Sequence, residues 1–316
     1  MLFDRAMSSD GLADAVWALQ RQINVLAEQV EQTRMLAAQP LVREFRNLKD
    51  PIPISQAEFR ISSQFGDDGI IQYVISRLSL PASERRFIEF GVENYRESNT
   101  RFLLQNDNWT GLVMDGSEEH VSSIRSEQLY WRHDLTALAR FITRDNINSI
   151  IEEAGFSGRV GILSIDVDGN DYWIWEGITV TNPAVVIVEF NGIFGGKEPV
   201  TIPYREDFVR QKVHYSYLYW GTSLKALCFL AGQKKYAWIG CNSAGNNAYF
   251  VRQEYATAFC HPLLPDDFVP AKFREARDRD GNLSYMGQEE GFALIRDLPV
   301  WDVVERKMRA VGDLSR

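Results

Sequence analysis

The sequence predicts an α/β fold with a mostly parallel sheet, preceded by a separate helix. From about residue 63 onward, short apolar runs alternate with helical patterns, which is typical of strands joined by crossover helices. Two later strand-like runs are joined by a turn rich in Asn, Ser and Gly, which predicts a final antiparallel pair. An unbroken apolar heptad pattern lies before Pro40 and predicts the separate helix.

The heptad pattern defines an N-terminal helical segment, residues 1–50. Its apolar or small residues recur at intervals of four and three, at Leu12, Val16, Leu19, Ile23, Leu26, Val30, Thr33 and Ala37. Pro40 is expected to end the helix because proline lacks the backbone N–H. Two interpretations fit. The helix could form a short coiled coil that makes the chain a homo-oligomer, or it could pack as an amphipathic helix on its own domain.

The main domain is predicted over residues 51–260, and a C-terminal extension over residues 261–316. Helices are expected at Ser63 to Leu80, Asn99 to Leu104 and Ser223 to Leu230, and a short one in the extension at Glu289 to Ile295. The predicted strands are Phe87 to Phe90, Gly111 to Met114, Val160 to Ile165, Val185 to Glu189, Tyr236 to Gly240 and Ala248 to Arg252.

Composition excludes several classes of protein. The net charge of −9 argues against a general nucleic-acid binder, which needs a clustered excess of Lys and Arg. Three cysteines without a CxxC spacing indicate neither a disulfide framework nor a zinc site. No apolar run approaches the roughly 20 residues that span a bilayer. We therefore expect a cytoplasmic protein with no membrane span and no nucleic-acid partner.

Acidic residues follow two of the predicted strands, where open parallel sheets bind their ligands. The first strand ends at Glu89 and Gly91 and continues through Glu93 to Asn99. Here a carboxylate can receive an ammonium or hydroxyl group, and the glycine lets backbone come close to a ligand. The second strand ends at Asp115 and Gly116, where a carboxylate can accept both hydroxyls of a ribose.

Asp134 is a third candidate. It follows Tyr130 and Trp131, so its carboxylate could accept the amino group of an adenine beside stacking aromatic rings. The alternative is an N-cap for a predicted helix that contains Leu138 and Phe141.

A cluster of acids comes directly after the strand Val160 to Ile165. Asp166, Asp168 and Asp171 repel one another unless they share a cation or a proton. Asp166 and Asp168, with Glu189 at the end of the next strand, are therefore the predicted ligands of Mg²⁺ or Mn²⁺, and the first two are also the predicted catalytic bases. A plain loop with helix caps is the alternative. His214 is a weaker candidate base.

Taken together, these strand ends resemble class I S-adenosylmethionine-dependent methyltransferases, with a Rossmann-like sheet, and most of all the FkbM-type and sugar O-methyltransferases. The resemblance covers roughly residues 63–252. It implies S-adenosylmethionine as cofactor, bound by Glu89, Gly91, Glu93, Asn99, Asp115, Gly116, Asp134 and Asp166. One departure concerns the glycine-rich loop, because Glu93 and Asn94 stand where the family's later glycine would be.

The resemblance leaves other functions open. The acceptor is expected to be a small molecule or glycan, with a sugar hydroxyl as the methylated group and polysaccharide biosynthesis as the setting. Side chains that could contact a sugar are Glu189, Asn191, Tyr204, Arg205, Tyr215, Tyr217, Tyr219 and Trp220. Asp166 and Asp168 also resemble the DxD element of metal-dependent glycosyltransferases. A third possibility is a non-catalytic scaffold assembled through the N-terminal helix.

Overall fold

A computed structural model describes residues 9–260, 270–272 and 274–315. The helices in these ranges are α1 (Ser9–Asn47), α2 (Asp67–Arg77), α3 (Arg101–Asp107), α4 (Glu118–Ser126), α5 (Gln128–Arg132), α6 (Ile147–Glu153), α7 (Asp171–Gly177), α8 (Arg210–Val213), α9 (Leu224–Gln233) and α10 (Gln288–Ile295). The strands are β1 (Arg86–Phe90), β2 (Thr110–Asp115), β3 (Leu135–Ala139), β4 (Gly158–Ile165), β5 (Thr181–Glu189), β6 (Val200–Thr201), β7 (Tyr236–Cys241), β8 (Asn247–Arg252), β9 (Pro299–Asp302) and β10 (Lys307–Ala310).

Seven strands form the main sheet in the order β3-β2-β1-β4-β5-β8-β7. The pairs from β3 to β5 are all parallel. Strand β8 runs antiparallel both to β5 and to β7. The prediction of a mostly parallel sheet with a final antiparallel strand is confirmed. The crossovers bring the carboxyl ends of β1, β2, β4 and β5 to one edge of the sheet.

Helices cover both faces of this sheet. Successive residues of a strand point to opposite faces, so Ile88 and Leu163 belong to one hydrophobic cluster while Phe87 and Ile162 belong to another. All four side chains are fully buried. Burial on both faces explains why these strands read as continuous apolar runs in the sequence.

Two predicted element boundaries are wrong. Helix α1 does not end at Pro40 but continues to Asn47. Beyond the proline, Val42 and Phe45 are buried against the body of the protein, and this packing offsets the lost backbone hydrogen bond. The predicted helix Ser63 to Leu80 is shorter at its start, because α2 begins at Asp67.

A predicted helix is instead a strand. The segment expected to be helical around Leu138 forms β3, which pairs with β2 from Leu135 to Ala139. Its apolar spacing suits either element, and pairing along the open edge of β2 decides between them.

The C-terminal extension forms a small layer beside the main sheet. Its strands β9 and β10 make a second sheet with β6 of the main domain, in the order β10-β9-β6. Helix α10 packs with them through Ile295, Val300 and Val311, and confirms the helix predicted there. The start of the predicted extension, residues 261–269, lies outside the described residues. Among the described helices, none combines the length and apolar character needed to cross a membrane.

Candidate active site

A cavity of about 670 Å³ lies at the carboxyl edge of the main sheet. Its walls come from the ends of β1, β2, β4 and β5 and from the turn between β7 and β8. It brings together most of the predicted site residues, namely Glu89, Gly91, Glu93, Asn99, Asp115, Gly116, Asp166, Asp168 and Glu189.

The loop after β1 approaches β4 closely at Gly91. A Cβ at this position would lie 1.6 Å from the carbonyl oxygen of Asp166, and the residue has a φ of +71°. Only glycine fits both conditions. Further along, Glu93 and Tyr95 adopt positive φ angles of 46° and 63°. The loop thus reaches left-handed conformations without the later glycine, at Glu93 rather than at the more tolerant Asn94.

Glu89 anchors this loop from beneath. One carboxylate oxygen accepts the backbone N–H of Asn99 at 2.8 Å, and the other accepts the N–H and hydroxyl of Thr100 just before α3. Burial raises the pKa of the Glu89 carboxyl to about 7. The side-chain amide of Asn99 then donates to Ser164 on β4. Glu89 therefore positions the cavity wall, and Asn99 ties that wall to the next strand.

Asp115 ends β2 with its carboxylate at the cavity. One oxygen accepts the backbone N–H of Ser117 at 2.8 Å and faces His120 Nδ1 at 3.1 Å. The other accepts the backbone N–H of Glu93 at 2.8 Å. These contacts fix the carboxylate and use three of its roughly four lone-pair sites, so the oxygen that accepts from Glu93 can still accept one ligand hydroxyl.

The structure corrects the interpretation of Asp134. It precedes β3 and accepts a hydrogen bond from Thr110, the first residue of β2. A six-residue strand spans about 16 Å, so Asp134 lies at the opposite sheet edge from Asp115. Its place at the cavity is taken by residues that follow β3, Arg140 and Phe141. The Phe141 side chain is 51% exposed, which leaves its ring available for stacking.

Asp166, Asp168 and Glu189 form one cluster. Each offers a carboxylate oxygen, and these oxygens lie within 4.8 Å of one another, a spacing that could hold a metal ion. Burial, together with mutual repulsion, raises the pKa of Asp166 and of Glu189 well above their usual range. One Glu189 oxygen, Oε2, is buried and has no hydrogen-bond partner among the residues that the structure describes. At neutral pH the pair must therefore share a proton or hold a cation.

Asp171, the third acid of the cluster after β4, has a structural role. Asp171 is fully buried, and its carboxylate accepts the backbone N–H groups of Val167 and Gly169 at 2.9 and 3.0 Å. It shapes the loop from within. Asp168, at the φ of 53° that this loop imposes, accepts a hydrogen bond from Arg210 at 2.8 Å. Arg210 thus supplies one positive charge beside the cluster.

His214 is not brought to the cavity. Its Nδ1 lies 2.7 Å from the Ser216 hydroxyl, and its ring stacks at an angle on Tyr215. Burial and the nearby Arg279 guanidinium lower the pKa of His214. The cavity is reached instead by Arg210 and Gln211 from the preceding helix α8. The expectation that His214 acts as a base is corrected by this placement.

A second cavity, of about 240 Å³, adjoins the first. Glu189, Arg210, Asn246 and Glu275 line both. The remaining wall is largely apolar and is built from Ile193, Leu218, Trp220 and Met286, with Pro270 and Ala271. Gln288 lines it as well, with a buried side-chain nitrogen that has no hydrogen-bond partner within the described ranges. Of the aromatic residues proposed for sugar contacts, Trp220 is the one that lines this space.

The turn between β7 and β8 forms part of the cavity wall, which the sequence did not predict. The Asn242 side chain accepts the backbone N–H groups of Gly245, Asn246 and Asn247 and so closes the turn. Asn247 then donates to Asp67, a fully buried carboxylate at the start of α2. The run of Asn residues signalled a turn, but its proximity to the cavity follows only from the position of β8 next to β5.

The reversed strand decides the fold. Strand β8 lies between β5 and β7 and runs against both, and the other five strands follow the order β3-β2-β1-β4-β5. The observed strand order is similar to that of class I methyltransferases, the resemblance found in the sequence, whereas nicotinamide-binding Rossmann domains lack such a reversed strand.

Comparison with known proteins gives remote similarities only. No protein-family profile and no curated protein matches the chain. Among solved structures, similar ones include the N-terminal domain of EvdMO1 with SAH bound (TM-score 0.34, 10% identity, 67% of this chain and 94% of that one). Another is a putative O-methyltransferase from Klebsiella pneumoniae (TM-score 0.39, 12% identity, 67% and 90%). A third is an O-methyltransferase from Bacillus cereus in complex with SAH (TM-score 0.35, 13% identity, 69% and 89%).

Proposed function

We propose that this chain is an S-adenosylmethionine-dependent methyltransferase that acts on a hydroxyl group of a small molecule, with a sugar as the favoured acceptor. The observation that carries the proposal is the position of Asp115. In a sheet with the reversed strand β8, a fixed carboxylate at the end of β2 faces a cavity at the carboxyl edge, where it can accept ribose hydroxyls.

The charge of the cavity favours a cationic ligand. Its described lining contains more acidic than basic side chains, the acids being Glu89, Glu93, Glu97, Asp115, Asp166, Asp168, Glu189 and Glu275 and the arginines Arg140 and Arg210. S-adenosylmethionine carries a sulfonium and an ammonium against one carboxylate. Burial raises the pKa values of Glu89, Asp166 and Glu189 and so reduces their charge, but the other five acids still outnumber the two arginines, and this excess attracts such a ligand.

The second cavity is the proposed acceptor site. Its volume of about 240 Å³ is below the range of about 300–1,000 Å³ for drug-sized ligands, so it suits a group of about one ring. Gln288 offers an unpaired donor and Glu189 an unpaired acceptor. A ligand hydroxyl can pair with both kinds of group, and Trp220 adds an apolar surface for a sugar ring.

Methyl transfer to a hydroxyl requires one proton to leave. The acceptor oxygen forms a bond to the methyl carbon as the carbon–sulfur bond breaks, and the sulfur keeps that bond's electron pair. The proton passes to a carboxylate of the pair Asp166 and Glu189, of which Glu189 lines both cavities and Asp166 lines the first. The unpaired Glu189 oxygen and the all-oxygen donor set fit Mg²⁺ or Mn²⁺ held by Asp166, Asp168 and Glu189. Such an ion would lower the pKa of the acceptor hydroxyl.

The glycosyltransferase alternative is disfavoured by the same geometry. A DxD element holds a metal-bound diphosphate, which brings several negative charges. Here the surrounding wall is acidic and would repel those charges. The scaffold alternative leaves the cavity and its buried carboxylates unexplained.

Calorimetric titration tests the proposed function. The full chain is titrated with S-adenosylhomocysteine and, separately, with UDP-glucose plus Mn²⁺. We expect saturable binding of S-adenosylhomocysteine at one site per chain and no heat from UDP-glucose. Binding of UDP-glucose alone would favour glycosyl transfer, and no binding of either ligand would favour the scaffold.

A further inference from the structure

Helix α1 has two apolar stripes, and only one of them packs on the protein's own body. The packed stripe contains Ala38 and Val42, which are buried against Ile61 and Phe102, with Met35 beside them. Polar contacts reinforce it. Glu31 pairs with Arg101 at 3.2 Å, and Gln39 donates to Asn106 at 2.6 Å.

The second stripe, which we name the open seam, consists of Val16, Leu19, Ile23, Leu26 and Val30. Their side chains are between 49% and 59% exposed. All of residues 13–30 are exposed, so no described part of the chain covers this stretch of α1. Single exposed apolar residues are ordinary, but a contiguous apolar stripe marks an interaction surface.

We propose that a second copy of this chain covers the open seam, in a parallel two-stranded coiled coil. The spacing assigns Val16, Ile23 and Val30 to heptad position a, and Leu19 and Leu26 to position d. β-branched residues at a with leucine at d favour two parallel strands, because their side-chain directions fit the holes of an identical helix in that arrangement.

The residues that flank the open seam suit an identical partner. Positions e and g next to it hold Gln20, Gln22, Ala27 and Gln29, none of which is charged. Two copies of one helix bring equal charges together, so neutral flanks avoid repulsion. The charged residues lie on the outer face, at Asp14, Arg21 and Glu28. That outer face mixes signs, unlike the Lys- and Arg-rich face of helices that lie on membranes.

The area available is enough for a modest dimer. Covering five half-exposed Val, Leu and Ile side chains on each of two helices removes on the order of 1,000 Å² from water, near the lower limit for a specific interface. Because the helices are parallel, both catalytic bodies lie at the same end of the coil, beyond Glu28, where α1 begins to contact its own body through Arg132.

Light scattering coupled to size-exclusion chromatography measures the predicted assembly. The full chain should have twice its mass of 36.2 kDa. The double variant Leu19→Glu/Leu26→Glu should have half the wild-type mass. The matched control, Trp17→Glu/Val25→Glu, replaces exposed residues outside the seam and should stay dimeric. A monomeric wild type, or the same mass for both double variants, would overturn the proposal. Thermal unfolding midpoints close to that of the wild type show that the bodies remain folded.

Cysteine cross-linking tests the direction of the helices. Val16→Cys and Val30→Cys are made separately, and their positions lie about 21 Å apart along the helix. In a parallel pair each new cysteine faces its own copy, so both variants should form covalent dimers on mild oxidation. An antiparallel pair can cross-link at no more than one of them. The wild type, with Cys228, Cys241 and Cys260, is the background control.

Discussion

Substitution of Asp115 by Asn is the sharpest perturbation of the proposed cofactor site. The change keeps the size of the side chain but removes its charge and turns one acceptor oxygen into a donor. That donor would face another donor, either the backbone N–H of Ser117 or that of Glu93, which now bind the two carboxylate oxygens. The variant therefore loses both the acceptor for ribose hydroxyls and part of the loop's support.

The expected loss of affinity follows from the hydrogen bonds involved. A hydrogen bond to a charged group contributes about 1.5–3 kcal/mol, which corresponds to a roughly 10- to 150-fold weaker Kd for S-adenosylhomocysteine. An analogue that lacks the 2′ and 3′ hydroxyls cannot make these bonds. The variant and the wild type should therefore bind the analogue with similar affinity, provided that the loop after β1 stays ordered in the variant.

Isothermal titration calorimetry provides the assay. The control variant is Asp134→Asn, the same chemical change at the opposite sheet edge, where Thr110 donates to the carboxylate. It should bind S-adenosylhomocysteine like the wild type. If folded Asp115→Asn binds with unchanged affinity, or if Asp134→Asn weakens binding equally, the assignment of the ribose to Asp115 is refuted.

Three further predictions concern the same cavity. Gly91→Ala should unfold at a markedly lower temperature, because its Cβ would clash with the Asp166 carbonyl. The control Gly155→Ala has a similar φ but open space around the Cβ, so its free energy of unfolding should fall by only about 1–2 kcal/mol. Equal destabilisation of the two variants would contradict this. If the cluster of Asp166, Asp168 and Glu189 holds Mg²⁺ or Mn²⁺, chelation should abolish methyl transfer, added metal should restore it, and Asp168→Asn should weaken metal binding. If the cluster acts as a metal-free base, chelation should leave the rate unchanged, and the rate should rise with pH through one carboxylate titration. Burial raises the pKa of Glu89 from 4.5 to about 7, so between these pH values the folded state keeps a proton that the unfolded chain releases. As the pH rises from 4.5 to 7, the free energy of unfolding should therefore fall by up to about 3 kcal/mol. In urea titrations at several pH values, Glu89→Gln should lack this part of the pH dependence.

The buried strands were predictable because their residues face protein on both sides. Their apolar runs are continuous, and β1, β2, β4 and β5 contain the predicted segments, although β4 and β5 begin earlier, at Gly158 and Thr181. Strand β3 was missed because it is a short strand at the sheet edge, with only partly buried residues in its second half. Its Leu135 and Leu138 are three residues apart, a spacing that a helix also uses. The pairing with β2 that settles the matter is a tertiary contact.

The predicted site residues were placed correctly where the neighbouring strand was predicted, and wrongly where it was missed. Glu89, Asp115 and Asp166 were found because they lie at or directly after the carboxyl ends of buried strands, and these ends meet at one edge. Asp134 was misplaced as a result of the missed strand, since an acid before β3 lies at the wrong edge. Arg210 reaches the cavity from α8 through a loop whose path carries no periodic signal.

The second cavity was beyond sequence reasoning for a similar reason. It depends on the C-terminal extension, whose Met286 and Gln288 close over the end of β5. Contacts between segments about one hundred residues apart leave no trace in local patterns. Trp220 was among the predicted sugar contacts, but its segment offered no means of separating it from aromatic residues that pack in the core.

A crystal structure of the full chain soaked with S-adenosylhomocysteine tests the central claim most directly. The account predicts ligand density in the 670 Å³ cavity, with a ribose hydroxyl within hydrogen-bond distance of Asp115, the adenine beside Phe141, and the sulfur directed toward Asp166 and the second cavity. Density at another place, or a ribose held by a different residue while Asp115 keeps only its contacts to Ser117 and Glu93, would contradict the account.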